Sequence, residues 1–227
     1  MNNDGTQRIS PQSEPGENGI NSLLAEASAV AQGVLESIQT LAGTTTCKGV
    51  QIARLKDWAI NRQCWIDNID AIGIYSDRGS ENEVYTSSDN TTVYKLNDFR
   101  YADDNLIPFF IRIQAHNHFF PDCCYVFLGM AENRDGKICA VLRQSFIQAE
   151  REATQQEIDE ELERIGFHKE MDGGYFTNGE YDIFDAVPNN VLMGCDGHLY
   201  FIDTIIFESG SQGYEIYSSL SPRAQSH

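Results

Sequence analysis

Apolar residues recur at intervals of three and four from Leu23 through Ala27, Val30, Ala31, Val34 and Ile38 to Leu41. That spacing predicts a helix with one buried face, and Gly43 ends it. Before it, Met1 to Gly19 is rich in Asn, Gly, Ser and Pro and has no apolar period, so residues 1–19 are expected to be disordered. A second helix is predicted from Val50 to Asn61, with Ile52, Leu55, Trp58 and Ala59 on one face. From Trp65 the texture changes to short strands. Tight turns at Asp89-Asn90, Asp135-Gly136 and Asp196-Gly197, each between apolar or β-branched runs, mark three hairpins. The first two give four or five antiparallel strands in the N-terminal half. Between them, Leu106, Phe109, Phe110 and Ile113 predict a helix over Asn105–His116, with Pro108 in its first turn and Asp103 or Asp104 as cap. A further helix over Thr154–Ile165 points Ile158, Leu162 and Ile165 inward and presents an acidic, solvated face. The order of elements describes an antiparallel α+β protein in two layers.

The charge balance narrows the partners. Sixteen basic residues against 34 acidic ones give a net charge of −18 in 227 residues. Such a surface repels phosphate backbones and anionic lipid, so neither nucleic acid nor membrane is expected as a partner. No apolar run is long enough to span a bilayer, and the N-terminus lacks a signal core, which predicts a cytoplasmic protein. The six cysteines show no metal-ligand or disulfide spacing and are expected to be reduced, with Cys139 and Cys195 as small hydrophobes in apolar strands. His116 and His118 fall where the helix is expected to end, and their bland role is termination and loop packing.

Chemistry concentrates near the C-terminus. Asp185 and Asn190 bracket a loop stiffened by Pro188, Val191 to Met193 form a strand, Asp196-Gly197 turns it, and Leu199 to Ile202 return. The hairpin carries Asp203 back to the end where Asn190 sits. Two oxygen-bearing side chains are then expected to converge where a hard cation can bind, with a further carboxylate beside them.

This arrangement resembles the catalytic loop and metal-binding aspartate of protein kinases, with Asn190 five residues after Asp185 and Asp203 thirteen after Asn190. The resemblance implies a bilobal kinase-like fold, with an antiparallel N-lobe sheet and a reduced C-lobe, that uses ATP and Mg²⁺. Asp185 would orient and deprotonate an acceptor hydroxyl, and Asn190 and Asp203 would hold magnesium. Gly79 to Tyr85 looks like a reduced glycine-rich loop, followed by the strand carrying the phosphate-binding Lys95. Gly79, Ser80, Val84, Lys95, Leu142 and Gln144 would contact the nucleotide, with Arg143 to Phe146 as the inter-lobe hinge. The closest likeness is to the serine/threonine/tyrosine kinase-like domain of bacterial polyvalent proteins, which are associated with mobile elements. It is carried by Trp65–Ile69, Glu81–Tyr85, Tyr94–Asp98, Asn190–Leu192 and Tyr200–Ile205, and covers Gln51 to Ile206.

Departures from the kinase pattern bear on activity. The loop has one glycine and two glutamates, Glu81 and Glu83, and no glutamate lies between Lys95 and Glu132 to pair with the lysine. Asp103 or Asp104 would have to substitute. Only 24 residues follow Asp203, too few for a peptide platform, so a protein substrate would dock elsewhere. Two functions follow: an ATP/Mg-dependent phosphotransferase of unknown acceptor, or a catalytically inactive kinase-like module that binds nucleotide or protein. The expected organisation is a tail and accessory helix over 1–45, an N-lobe over 46–144 and a minimal C-lobe over 145–227. The accessory helix either braces the N-lobe or tethers a partner.

Overall fold

The computed structural model describes residues 22–42, 47–79, 81–102, 104–171 and 174–210. The expected disordered tail, Ser80 and Asp103 lie outside the described residues. Helices α1 (Ser22–Ala42) and α2 (Lys48–Asn61) lie side by side. Leu24, Ala27 and Ala31 of α1 bury against Leu55 and Ala59 of α2, so the first helix packs on its own chain as a brace. Its buried stripe centres on Leu24 more than on the partly exposed Leu23.

Six strands form the largest sheet: β1 (Trp65–Ile66), β2 (Ile74–Arg78), β3 (Asn82–Thr86), β4 (Thr92–Asn97), β5 (Val126–Glu132) and β6 (Ile138–Ser145), in the order β1-β5-β6-β4-β3-β2. All neighbours are antiparallel except the short β1, which runs parallel to β5 and raises the expected strand count. The two predicted turns close the β3–β4 and β5–β6 hairpins. Gly129 interrupts β5 with a bulge at φ +135°. A Cβ there would fall 1.8 Å from the Cys64 carbonyl oxygen, so only glycine lets the chain entering β1 lie against β5.

Alternation gives this sheet two cores. Tyr85, Leu96, Val141 and Cys139 face one side with Ile69. The other side, with Phe127, Met130, Ala140 and Leu142, is covered by α1, α2 and α3 (Ile107–Phe119). Helix α3 lies further along the chain than the predicted Asn105–His116. Leu106 holds the N-cap position, and Asn105 Oδ1 accepts the Ile107 N–H at 2.9 Å. The Asp104 carbonyl accepts from the Cys47 and Lys48 amides.

A third core holds the C-terminal half. Ala115 and Phe119 at the end of α3 meet Phe167, Phe176, Ile183, Phe201 and Ile206. Helix α4 (Gln155–Arg164) begins with a reciprocal cap between Thr154 and Glu157 and buries Ile158 and Leu162. Four strands, β8 (His168–Met171), β9 (Tyr175–Thr177), β10 (Tyr181–Phe184) and β13 (Ile205–Glu208), form a second sheet in the order β13-β10-β9-β8. A third sheet joins β7 (Ala149–Glu152), β11 (Val191–Gly194) and β12 (Leu199–Phe201). The second sheet was not anticipated, although Asn178-Gly179 is a hairpin signal: Asn178 Oδ1 accepts the Glu180 and Tyr181 amides at 2.9 and 2.7 Å. Cys195 is exposed, not buried as its apolar neighbours suggested, because it sits in the β11–β12 turn. All six cysteines are free. Among the described residues no helix is long and apolar enough to cross a membrane.

One polar side chain ties the three helices together. Gln51 is fully buried, donates to the Ala31 carbonyl of α1 at 2.9 Å, and accepts the Leu106 amide that opens α3 at 2.8 Å. Replacing it by leucine keeps the volume but strands the Leu106 amide, at roughly 1–3 kcal/mol, and removes only a second bond from the helical Ala31 carbonyl. Gln51→Leu should therefore lower unfolding stability by about 1–3 kcal/mol in urea titration, whereas an exposed control such as Gln39→Leu should not change it measurably.

Candidate active site

Strand β4 sets Lys95 on the helix-covered face of the first sheet, opposite Val84 of β3 and Leu142 of β6. Its side chain is not solvated. Only 6% of Lys95 is exposed. The ammonium donates to the Ile202 carbonyl at 2.7 Å, to Asp203 Oδ1 at 3.1 Å and to the Tyr125 hydroxyl at 3.2 Å. Tyr125 in turn donates to the same Ile202 carbonyl at 2.7 Å. Burial alone would favour a neutral amine, but Asp203 and Tyr125 outweigh it and hold the Lys95 pKa above its ordinary value. The Tyr125 phenol is pushed up to about 12 by burial, against the pull of Lys95.

Asp203 is presented differently from Lys95. Half of its side chain opens to the groove, so its ion pair is partly screened by solvent. Enclosure would raise its pKa, yet Lys95, with Arg112 behind it, keeps the carboxylate below its ordinary range and therefore ionised. The Asp196-Gly197 hairpin places it as anticipated: Val191 pairs with Phe201, and the Ile202 amide donates to the Asn190 carbonyl at 2.9 Å. Asn190 is buried in a short turn of 3₁₀ helix, Pro188–Asn190. Its amide donates to the Asp185 carbonyl at 2.8 Å, and Asn189 donates to its Oδ1 at 2.9 Å.

Asp185 ends β10 with a left-handed backbone, φ +59°, a conformation that aspartate tolerates better than most residues. The loop that follows is pressed against Gly174, φ +82°, whose Cβ would approach the Ala186 nitrogen to 2.7 Å. A glycine is thus required beneath the candidate catalytic loop.

Lys95, Asp185 and Asp203 line one groove together with Glu81, Asn82, Arg112, Ile113, His116, Tyr125, Leu142, Thr204 and Ile205. Of the residues anticipated as nucleotide contacts, Leu142 lines the groove and Val84 stands beside Lys95 on the same strand face. Gly79 makes the turn before β3, its amide donating to the Asn82 carbonyl at 2.9 Å. Gln144 does not join them. It is buried and donates to the Cys123 carbonyl at 2.7 Å, a structural contact. The anticipated hinge also starts later: Arg143 and Ser145 are still paired with β5 and β4, so the chain leaves the sheet only at Phe146.

The groove residues Tyr125, Arg112 and His116 were not recognised from sequence as parts of the site. Tyr125 supplies the hydroxyl on Lys95. Asn117 fixes it by bonding both its backbone groups at 2.7 Å. Arg112, the one formally charged residue of α3, forms a forked ion pair with Glu81. A lone arginine beside the apolar stripe of a helix was the available signal. His116 falls in the last turn of α3, as expected, but it faces inward and is 1% exposed. Its Nε2 donates to the Phe201 carbonyl at 2.8 Å, while Nδ1 and the neighbouring Thr204 hydroxyl have no hydrogen-bond partner.

Residues 48–208 match the family described as serine/threonine/tyrosine kinase found in polyvalent proteins. The chain belongs to that kinase family. No curated protein and no solved structure matches it.

Burial pushes the His116 pKa down from 6.5 to about 4, with the Phe201 bond opposing and Lys95 assisting. Between those two values the unfolded chain binds a proton that the folded one excludes. The contribution is fully present above about pH 6.5 and is lost as pH falls towards 4. It amounts to about 3 kcal/mol by the usual 1.36 kcal/mol per pKa unit. The acid slope of stability should be shallower in His116→Gln, which keeps a donor for Phe201, and urea titrations from pH 7 to 4.5 on both proteins measure the difference.

Proposed function

We propose that the chain is an ATP- and magnesium-dependent phosphotransferase, with its groove between an N-lobe over 46–144 and a C-lobe over 145–227. The observation that carries this reading is the convergence of Lys95, Asp185 and Asp203 on one groove from β4, the end of β10 and the turn after β12. The division of the apolar cores supports two lobes, since one set spans Leu24 to Leu142 and the other Ala115 to Ile206, joined through α3.

The donor set suits magnesium. Among the described residues no group of three or more His, Cys, Asp or Glu side chains could form a closed cage. Magnesium instead favours one or two protein oxygens completed by phosphates and water. Asp203, half open to the groove, would supply one of them. Asn190, anticipated as the other, is buried and not among the residues lining the groove, and its amide oxygen would have to leave Asn189 to reach a metal there. The metal would contribute charge neutralisation on the phosphates. Lys95 would place a permanent positive charge against the same phosphates. Asp185 would accept the proton of the acceptor hydroxyl as its oxygen bonds to phosphorus and the nucleoside diphosphate leaves. Catalysis of this type rests on positioning and charge, which pinned groups provide.

A second reading, an inactive kinase-like module that binds nucleotide or protein, draws on one observation: a carboxylate, Glu81, stands inside the groove. The two are separated by paired substitutions. Asp203→Asn should abolish magnesium-dependent ATP binding. Asp185→Asn should retain binding and lower the rate of phosphate transfer by about 10²–10⁴-fold. Terminally labelled ATP and calorimetry read both. Absence of label on any acceptor, the protein itself included, would rule out the phosphotransferase, and absence of a thermal shift with every nucleotide would favour a module that binds protein alone.

A further inference from the structure

Arg112 and Glu81 are unusual occupants of a groove that must admit a polyphosphate. The guanidinium reaches from the middle of α3 and the carboxylate from the turn before β3, and they meet as a fork: Nη1 donates to Oε1 at 3.0 Å and Nη2 to Oε2. Both side chains are largely withdrawn from water, 16% and 13% exposed. Asn97 of β4, two residues from Lys95, donates to Glu81 Oε2 at 3.3 Å and to Asn82 at 3.0 Å, which holds the carboxylate in place from the other side.

Two oxygens of one acidic group facing two parallel N–H donors of an arginine is also how a phosphate is recognised. Resting on the phosphotransferase reading, we infer that Arg112 is a second phosphate-binding cation of the groove, occupied by the Glu81 carboxylate until the phosphates of a nucleotide displace it. The charges lead the same way. As it stands the groove sets two cations, Lys95 and Arg112, against three carboxylates, Glu81, Asp185 and Asp203. That balance repels a polyphosphate. Withdrawing Glu81 alone would strand a nearly buried guanidinium, which is strongly unfavourable, so the carboxylate leaves only as another anion arrives. Exchange thereby makes nucleotide binding and release of the Glu81 turn one event.

Exchange and a permanent clamp differ in sign. If Glu81 competes with phosphate, Glu81→Gln tightens ATP binding, about tenfold for loss of one opposing charge, while Arg112→Gln loosens it at least as much. Adenosine, which has no phosphate, should bind both variants like the wild type. The experiment is calorimetric titration of full-length wild type, Glu81→Gln, Arg112→Gln and Arg112→Lys with ATP and magnesium, adenosine by competition, and melting temperatures alongside. Arg112→Lys keeps a charge without the fork and should fall between wild type and Arg112→Gln; it decides the case if Arg112→Gln fails to fold. Loosening of ATP by both Glu81→Gln and Arg112→Lys, with wild-type ATP binding intact, would overturn the exchange and leave a structural clamp. Absence of ATP binding in both wild type and Glu81→Gln would overturn the phosphotransferase reading as well.

Discussion

A lysine ammonium with 6% exposure is the constraint around which the groove is built. Such a group stays charged in a folded protein only if acidic and carbonyl oxygens replace its water. For Lys95 they come from two distant stretches of chain: Tyr125, thirty residues on, and the Ile202 carbonyl and Asp203, more than a hundred residues on. The first sheet and the end of the β11–β12 hairpin are therefore locked to one point. The hairpin's register against Asn190 then determines where Asp203 and Asn190 stand relative to Asp185.

Helix α3 is the element that both halves share. Phe109, Phe110 and Ile113 belong to the core under the first sheet, whereas Ala115 and Phe119 belong to the C-terminal one. Between these two sets its inward turn carries Arg112 and His116 to the groove, and Asn117 to the backbone of Tyr125. Its position is set from behind by α1 and α2, through apolar contacts and through Gln51 at its first amide. The accessory helix is thus mechanically upstream of the site. A shift of α1 would move the start of α3 and with it the tyrosine that holds Lys95.

Much of this could be read from the chain because local chemistry dictated it. Asp89-Asn90, Asp135-Gly136 and Asp196-Gly197 each specify a tight turn, and the last brings Ile202, the residue before Asp203, onto the Asn190 carbonyl. The period of α1, α2 and α4 is likewise local. What escaped depends on tertiary neighbours. β8, β9 and β10 are only three or four residues long, and their apolar positions (Phe176, Ile183 and Phe184) acquire meaning only once β13 pairs with β10. His116 read only as helix termination because its partner in the groove, the Phe201 carbonyl, is far away in sequence. Gln144 read as a nucleotide contact because nothing local reveals that its amide is committed to Cys123. Arg112 and Glu81 are separated by 31 residues, and neither is remarkable alone.

The missing helix glutamate is explained by that last pair. The buried lysine of β4 needs an acidic partner, and α3 offers an arginine instead. The polarity is redistributed rather than lost. Asp203 and the Tyr125 hydroxyl take over Lys95, the helix contributes a cation, and the carboxylate that opposes this cation sits at the β2–β3 turn. Each cation keeps one anion, so the buried charges balance in pairs. The consequence is geometric. An acidic residue on α3 would tie that helix to β4 through Lys95, whereas here the ion pair ties it to the turn entering β3, at the groove's edge. Beyond the apolar core, helix and sheet are joined by neutral hydrogen bonds, those of Asn117 with the backbone of Tyr125. The apolar core and the Asn117 bonds thus frame the site, while the charged pair stands at its edge.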